Sequence, residues 1–396
     1  MRLAYLSPLP PARSGIADYS AELLPDLARL AEVDLFVPDA AEVEAALAGR
    51  YPVHDCRDLA AWRHANPDAI PLYHMGNSPY HEFVYEALSC WPGVTVLHDY
   101  YLHHFIVEAT VARGHPAEYL HELLYAHGPR GAAAGRAALR PFACFPYFDY
   151  PLNRRVLDCS LGVIVFNDWT REHVLRQVPG ARVQRIEQHV VVPRPLDLLA
   201  VRSVLGLDAE ALIIGSFGLV TPEKRIDVAL RAFARLRQTR PELARSRYLV
   251  VGEIAPTVDL GALISELGLA GAVDVRGRVD FADFERLIAA TDICMALRWP
   301  SLGETSASTL RLLAAGRAVI VSDAGPLGEL PDEICLKVPS GDQAEEALVA
   351  ALGRLAAAPN ERCRLGEAAR EYVGRVHSLE RSAAQYSRAI TSLLSD

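Results

Sequence analysis

The run Ile293-Cys294-Met295-Ala296-Leu297 follows Asp292 and precedes a long polar loop. It constrains the fold more than any other stretch. Five apolar residues with no polar alternation make a strand covered on both faces, as in a parallel sheet. The loop carries Glu304, Thr305, Ser306, Ser308 and Thr309. Leu310, Leu312, Leu313 and Ala314 then form one helical face, and Gly316 stands where a left-handed C-cap would end that helix. Val319-Ile320-Val321 begins the next strand. A strand, loop, helix and strand in this order is the crossover unit that parallel pairing requires.

The same alternation runs along most of the chain. Strands are predicted at Leu3–Leu6, Val33–Val37, Pro71–Met75, Val94–Leu97 and Leu161–Phe166, with helices at about Ile16–Leu30 and Asp168–Gln177 and a largely helical region from Leu97 to about Leu157. Periodicity lapses at Val190–Leu199, which carries two prolines, and restarts at Ala211. Strands are then predicted at 211–217, 247–252, 273–276, 293–297, 319–321 and 335–338. Three closing helices are predicted at about 343–357, 360–375 and 379–394. The pattern predicts an α/β chain of two Rossmann-like, doubly wound domains whose carboxyl-edge loops face a central cleft. The expected limits are 1–192, 193–378 and a last helix, 379–396, returning to the first domain.

Carboxyl edges are where such sheets bind ligands, and a helix N-terminus there favours anions, phosphate above all. The loop after the strand 211–217 carries Gly218 and ends in two cations, Lys224 and Arg225, at a helix start. That end of the dipole disfavours cations, so they make sense if an anion also sits there; otherwise they are two solvated basic residues. Glu304 would repel phosphate and suits neutral hydroxyls such as those of a sugar, or is a solvated acid beside a cap. Gly15, between Ser14 and Ile16, permits close backbone approach by a ligand or makes a plain turn. His98 follows a strand and reads as a ligand-facing group or a satisfied structural histidine. His74 and Asn77 end another strand and could line the same edge.

The charge balance, 40 basic against 49 acidic residues, gives −9 and argues against a general nucleic-acid binder. Seven scattered cysteines with no C-x-x-C pair suggest neither a disulfide framework nor a zinc site, as in a soluble chain of a reducing compartment. His98, Asp99, His103 and His104 lack metal-binding spacing, and neither a dinucleotide fingerprint nor a P-loop occurs. No apolar run approaches the roughly 18 residues of a membrane span.

The segments SGIADYS, TVLHDYY, GSFGLVTPEK and PSLGETSASTLRLLAAGRAVIVSD together resemble the GT-B glycosyltransferases of family 4, especially a bacterial subgroup with a G-E-T-S loop. That resemblance implies a retaining transfer of a sugar from a UDP- or GDP-linked donor to a hydroxyl acceptor, without metal or other cofactor. It implies His98 near the reacting sugar, Lys224 on the donor phosphates, Glu304 on the sugar hydroxyls, backbone N–H groups of Thr305 and Ser306 on the phosphate, and Gly15 and Ile16 facing the donor. It also implies a cytoplasmic enzyme of glycan, glycolipid or secondary-metabolite synthesis, compatible with a glycan or lipid-linked acceptor. The arginine-bearing stretches Arg231–Arg247 and Arg362–Arg375 permit peripheral membrane contact.

Two departures qualify it. The family's arginine before the lysine falls on Leu219, and Arg298 is the candidate replacement. The second glutamate of the E-x7-E pattern falls on Leu312, or on Arg311 when the helix and Gly316 set the register, which leaves ribose binding unplaced. A non-catalytic sugar-nucleotide-binding chain is the rival reading; a GT-B epimerase or phosphorylase is a third.

Overall fold

A computed structural model of the chain describes residues 1–140 and 145–395; Cys144 and part of the region predicted as largely helical lie outside them. The chain forms two compact units. The first comprises Met1–His189, Leu302–Thr305 and the C-terminal segment holding the helix Leu379–Leu394; the second comprises Val190–Ser301 and Ser306–Ser378.

The first unit has a seven-stranded parallel sheet of β1 (Arg2–Leu6), β2 (Glu32–Val37), β3 (Val53–Asp55), β4 (Ile70–Met75), β5 (Gly93–Leu97), β6 (Ser160–Val165) and β7 (Val183–Arg185). Their spatial order is β3-β2-β1-β4-β5-β6-β7. The central strands are buried along nearly their whole length, which is why they read as largely apolar runs, broken by the buried polar residues His74 and Thr95. The edge strands β3 and β7, three residues each, are too short and polar for that signal. On one face the helix Leu379–Leu394 packs on the helix Gly15–Leu27, with Tyr19 Oη and Tyr386 Oη 2.8 Å apart in the core. A Cβ on Gly162 of β6 would stand 2.8 Å from Leu393, so the missing side chain is what lets this helix approach the sheet.

The second unit has a six-stranded parallel sheet: β8 (Ile213–Phe217), β9 (Arg247–Val251), β10 (Val273–Gly277), β11 (Ile293–Ala296), β12 (Ala318–Ser322) and β13 (Leu336–Val338), in the order β10-β9-β8-β11-β12-β13. The helix Ile226–Thr239 buries Leu230, Phe233 and Leu236 against Leu348, Leu352 and Leu355 of the helix Ala344–Ala357. Arg202, 3% exposed, donates to the Ala290 carbonyl and pairs with Asp292 at 2.7 Å. Such a buried guanidinium is tolerated because its donors are met.

Both sheets therefore reverse strand order once in the same way, between β1 and β4 and between β8 and β11. Each reversal opens a crevice at the carboxyl edge. No helix among the described residues is long and apolar enough to cross a membrane.

Candidate functional site

In the second unit the crevice beside β8 and β11 is a pocket lined by Phe217, Gly218, Lys224, Arg298, Ser306 and Ser308, among others. Gly218 has φ +95°, and a Cβ there would fall 2.6 Å from Lys224 Nζ. Only glycine leaves room for the ammonium at this turn. Lys224 lies in a single turn, Pro222–Lys224, and Nζ donates to the Phe217 carbonyl at 3.3 Å. Gly252, at the end of β9, abuts the same turn: a Cβ there would lie 2.1 Å from the Gly218 carbonyl oxygen.

The opposite wall is the start of the helix Ala307–Ala314. Ser306 is its N-cap, accepting from the Thr309 N–H at 3.3 Å, and its hydroxyl also meets Ser308 Oγ at 3.1 Å. The first-turn amides of Ala307 and Ser308 are ones a helix leaves without intrahelical acceptors. A lysine, a helix N-terminus and serine hydroxyls around one small pocket form a cradle for an oxyanion group such as a diphosphate. Arg298 lines the same pocket, while its backbone N–H donates to Ser322 Oγ at 2.9 Å.

Arg225 does not join Lys224. It sits in the left-handed region at φ +50°, and its guanidinium turns to Asp227, with Nε–Oδ1 3.2 Å. The pair of cations at the helix start is thus one pocket-lining lysine and one internally neutralised arginine. Leu219, where the family arginine would fall, is 51% exposed. Leu312 is buried in the core, whereas Arg311 lies over the ring of Phe281 at 4.7 Å. Arg311 is therefore the residue at this turn that stays accessible.

Glu304 and Thr305 belong to the first unit. Their loop is gripped by the start of the helix Asp168–Gln177. Asn167 Nδ2 donates to the Gly303 carbonyl at 3.1 Å and to Thr305 Oγ1 at 3.0 Å, and Thr170 Oγ1 donates to the same carbonyl at 2.7 Å. Gly303 has φ +80°, with Trp169 and Tyr100 so close that a Cβ would lie 2.5 and 2.7 Å from them. Sequence reasoning missed Asn167 and Thr170; the only signal was an asparagine directly after a strand, which reads as an ordinary helix cap.

At the carboxyl edge of β4 and β5, His74 Nδ1 and His98 Nε2 are 3.0 Å apart. His74 is fully buried and burial pushes its pKa down to about 3; burial also holds His98 well below the usual histidine range. Both are therefore neutral near pH 7. Tyr19 lies edge-on to His98 at 5.0 Å and stacks on His189 at 4.1 Å. Asn77 is occupied in the fold: its N–H donates to Asp99 at 2.8 Å and its Oδ1 accepts from the Phe105 N–H at 2.9 Å. Gly15 opens the helix Gly15–Leu27 with open space where a Cβ would stand, and Ile16 Cδ1 would lie 2.4 Å from a Cβ on Gly76. Among the described residues no cluster of histidine, cysteine and carboxylate groups could hold a metal ion. The cysteines among them, such as buried Cys294 and Cys335, are free thiols.

Residues 210–358 match the family of group 1 glycosyl transferases. A D-inositol 3-phosphate glycosyltransferase from Stackebrandtia nassauensis is 37% identical over 142 residues, which is 34% of this chain and 31% of that protein. The matched stretch thus spans about a third of that curated relative. Over the whole chain, sucrose-phosphate synthase from Thermosynechococcus elongatus superposes with a TM-score of 0.70 at 19% identity, covering 99% of each chain. Anabaena HepE, solved in complex with UDP, superposes with a TM-score of 0.68 at 16% identity, covering 99% of this chain and 100% of that one. The chain has the GT-B fold of these enzymes, built of two Rossmann-like units.

Proposed function

We propose that this chain is a retaining glycosyltransferase that takes a sugar from a UDP- or GDP-linked donor and passes it to a hydroxyl-bearing acceptor. The observation that carries the reading is the pocket in which Lys224 faces Gly218 and Ser308 beside the N-terminus of the helix Ala307–Ala314. The match of this region to group 1 glycosyl transferases and the UDP held by a protein of the same fold support it. Lys224 and the helix amides bind the donor diphosphate and stabilise the charge that grows on it as the glycosidic bond breaks. Arg298 adds to that charge. Glu304 accepts hydrogen bonds from the sugar hydroxyls, Thr305 and Ser306 offer backbone N–H groups to the phosphate, Gly15 and Ile16 face the donor, and His98 hydrogen-bonds near the reacting carbon. The departing phosphate takes the acceptor proton, so no separate base is required, and catalysis rests on positioning and electrostatics without a metal. The enzyme works in the cytoplasm, at the membrane face where its acceptor is lipid-linked.

The test is calorimetric titration with UDP, GDP, ADP and dTDP on the wild-type protein and on Lys224→Ala. One nucleotide is expected to bind, and loss of a charge-assisted contact of about 1.5–3 kcal/mol should weaken it roughly 10–100-fold. Binding of none, or equal binding by Lys224→Ala, overturns the reading.

A further inference from the structure

We infer that His74 is a positioning residue that fixes the tautomer of His98, so that His98 presents Nδ1–H, a hydrogen-bond donor, to the bound ligand. The inference rests on the reading above only in that His98 faces a ligand; the tautomer itself follows from the packing.

His74 and His98 share one hydrogen bond between Nδ1 of the first and Nε2 of the second, at 3.0 Å. One of the two nitrogens donates and the other accepts. The far nitrogen of His74 decides which. Nε2 of His74 is buried and has no hydrogen-bond partner among the described residues. The aromatic rings about it are Tyr5 at 4.5 Å and Tyr19 and Tyr386 at 6.1 Å. Their hydroxyls are engaged elsewhere, Tyr5 with Ser20 at 2.9 Å and Tyr19 with Tyr386 at 2.8 Å.

A buried N–H without an acceptor is rare in folded proteins, whereas a bare lone pair is tolerated more readily. His74 therefore keeps its proton on Nδ1, where it has a partner, and leaves Nε2 unprotonated. Nδ1–H of His74 then donates to Nε2 of His98. A neutral imidazole has one proton, so that of His98 must be on Nδ1. Burial supports the neutral form of both rings. His98 retains some exposure while His74 has none, so the pair acts as an inner residue setting the polarity of an outer one. A donor at His98 suits a ligand oxygen with free lone pairs, as on a sugar hydroxyl.

The direct test is nitrogen NMR of 15N-histidine-labelled protein, with resonances identified by their loss in His74→Asn and His98→Asn. His98 should show a protonated Nδ1 and an unprotonated Nε2; the reverse pattern overturns the inference whether or not the protein is active. A second test uses geometry. The amide nitrogen of asparagine superposes on Nδ1 of histidine, and that of glutamine on Nε2. His74→Gln should lower kcat about 10–100-fold through misorientation, with nucleotide affinity unchanged, and His74→Asn should recover most of that loss. Equal losses in the two variants would reduce His74 to a packing role. Absence of nucleotide binding in every form, by contrast, would remove the proposed reaction and leave the NMR result to decide the tautomer.

Discussion

Asn167 and Gly303, 136 positions apart, are joined at 3.1 Å by a hydrogen bond from the asparagine amide to the glycine carbonyl. The other end of the same amide is used too: Asn167 Oδ1 caps the helix Asp168–Gln177 by accepting from the Thr170 N–H at 2.7 Å. One 5%-exposed side chain thus ties a helix start to the loop that carries Glu304.

Two variants separate these duties. Asn167→Asp keeps an oxygen for the cap but has no amide to give Gly303; Asn167→Ala loses both. Both should reduce kcat about 10–100-fold if Glu304 is held by this grip, and the alanine should cost a further ~1 kcal/mol of stability as a lost cap. Steady-state kinetics beside thermal melts would check this; full activity in Asn167→Asp would show that the loop holds itself.

Gly218→Ala should damage nucleotide binding more than the fold. A β-carbon would both occupy the space of Lys224 Nζ and strain a backbone at φ +95°, a strain of order 1–3 kcal/mol. Calorimetry should show affinity falling at least about tenfold, with the melting curve only modestly shifted. Unchanged affinity would mean that Lys224 does not bind the diphosphate from this position.

Gly366→Ala should do the opposite. A Cβ there would stand 2.0 Å from the Gly316 carbonyl oxygen, where the helix Pro359–Val376 crosses the end of the helix Ala307–Ala314. Neither backbone can yield cheaply, so the loss should be about 1–3 kcal/mol in chemical denaturation. Nucleotide affinity of the fraction that remains folded should be preserved.

Acid should loosen the first unit before the second. Burial lowers His74 to about 3 and His81 and His103 to about 4, from an ordinary 6.5. A histidine whose folded pKa lies below its unfolded one contributes nothing adverse above 6.5 and costs stability as pH falls from there toward about 4, because only the unfolded chain takes up the proton. Every histidine except His377 lies in residues 1–189. Urea titrations at pH 7.5 and 5.0 should move the transition reported by Trp62, Trp91 and Trp169 more than that reported by Trp299. Equal shifts would show that these histidines do not govern the acid limit.

The sequence was legible where burial is two-sided. Strand β11 is apolar throughout because it is covered on both faces, and the carboxyl edges of such strands are where Lys224, Ser306, His74 and His98 were expected. It was opaque where a residue's task depends on a partner far along the chain. Arg225 looks like a second anion-binding cation until Asp227 is seen beside it. Asn77 looks like a group for a ligand, yet both its backbone N–H and its Oδ1 are used within the fold. Asn167 looks like a simple cap. The edge strands β3 and β7 are held by ladder hydrogen bonds to β2 and β6, which leave little mark on composition.

The helix Leu379–Leu394 completes the first unit, its Tyr386 set against Tyr19. During synthesis the first sheet emerges early but lacks one covering helix until residues 379–394 have been made. The second unit, almost all of it contiguous, can close while the first still shows the face around Tyr19 and Gly162 that this helix covers. The part made first is therefore the part finished last. A nascent chain stalled near residue 378 would expose its early half, not its late one, to chaperones and proteases.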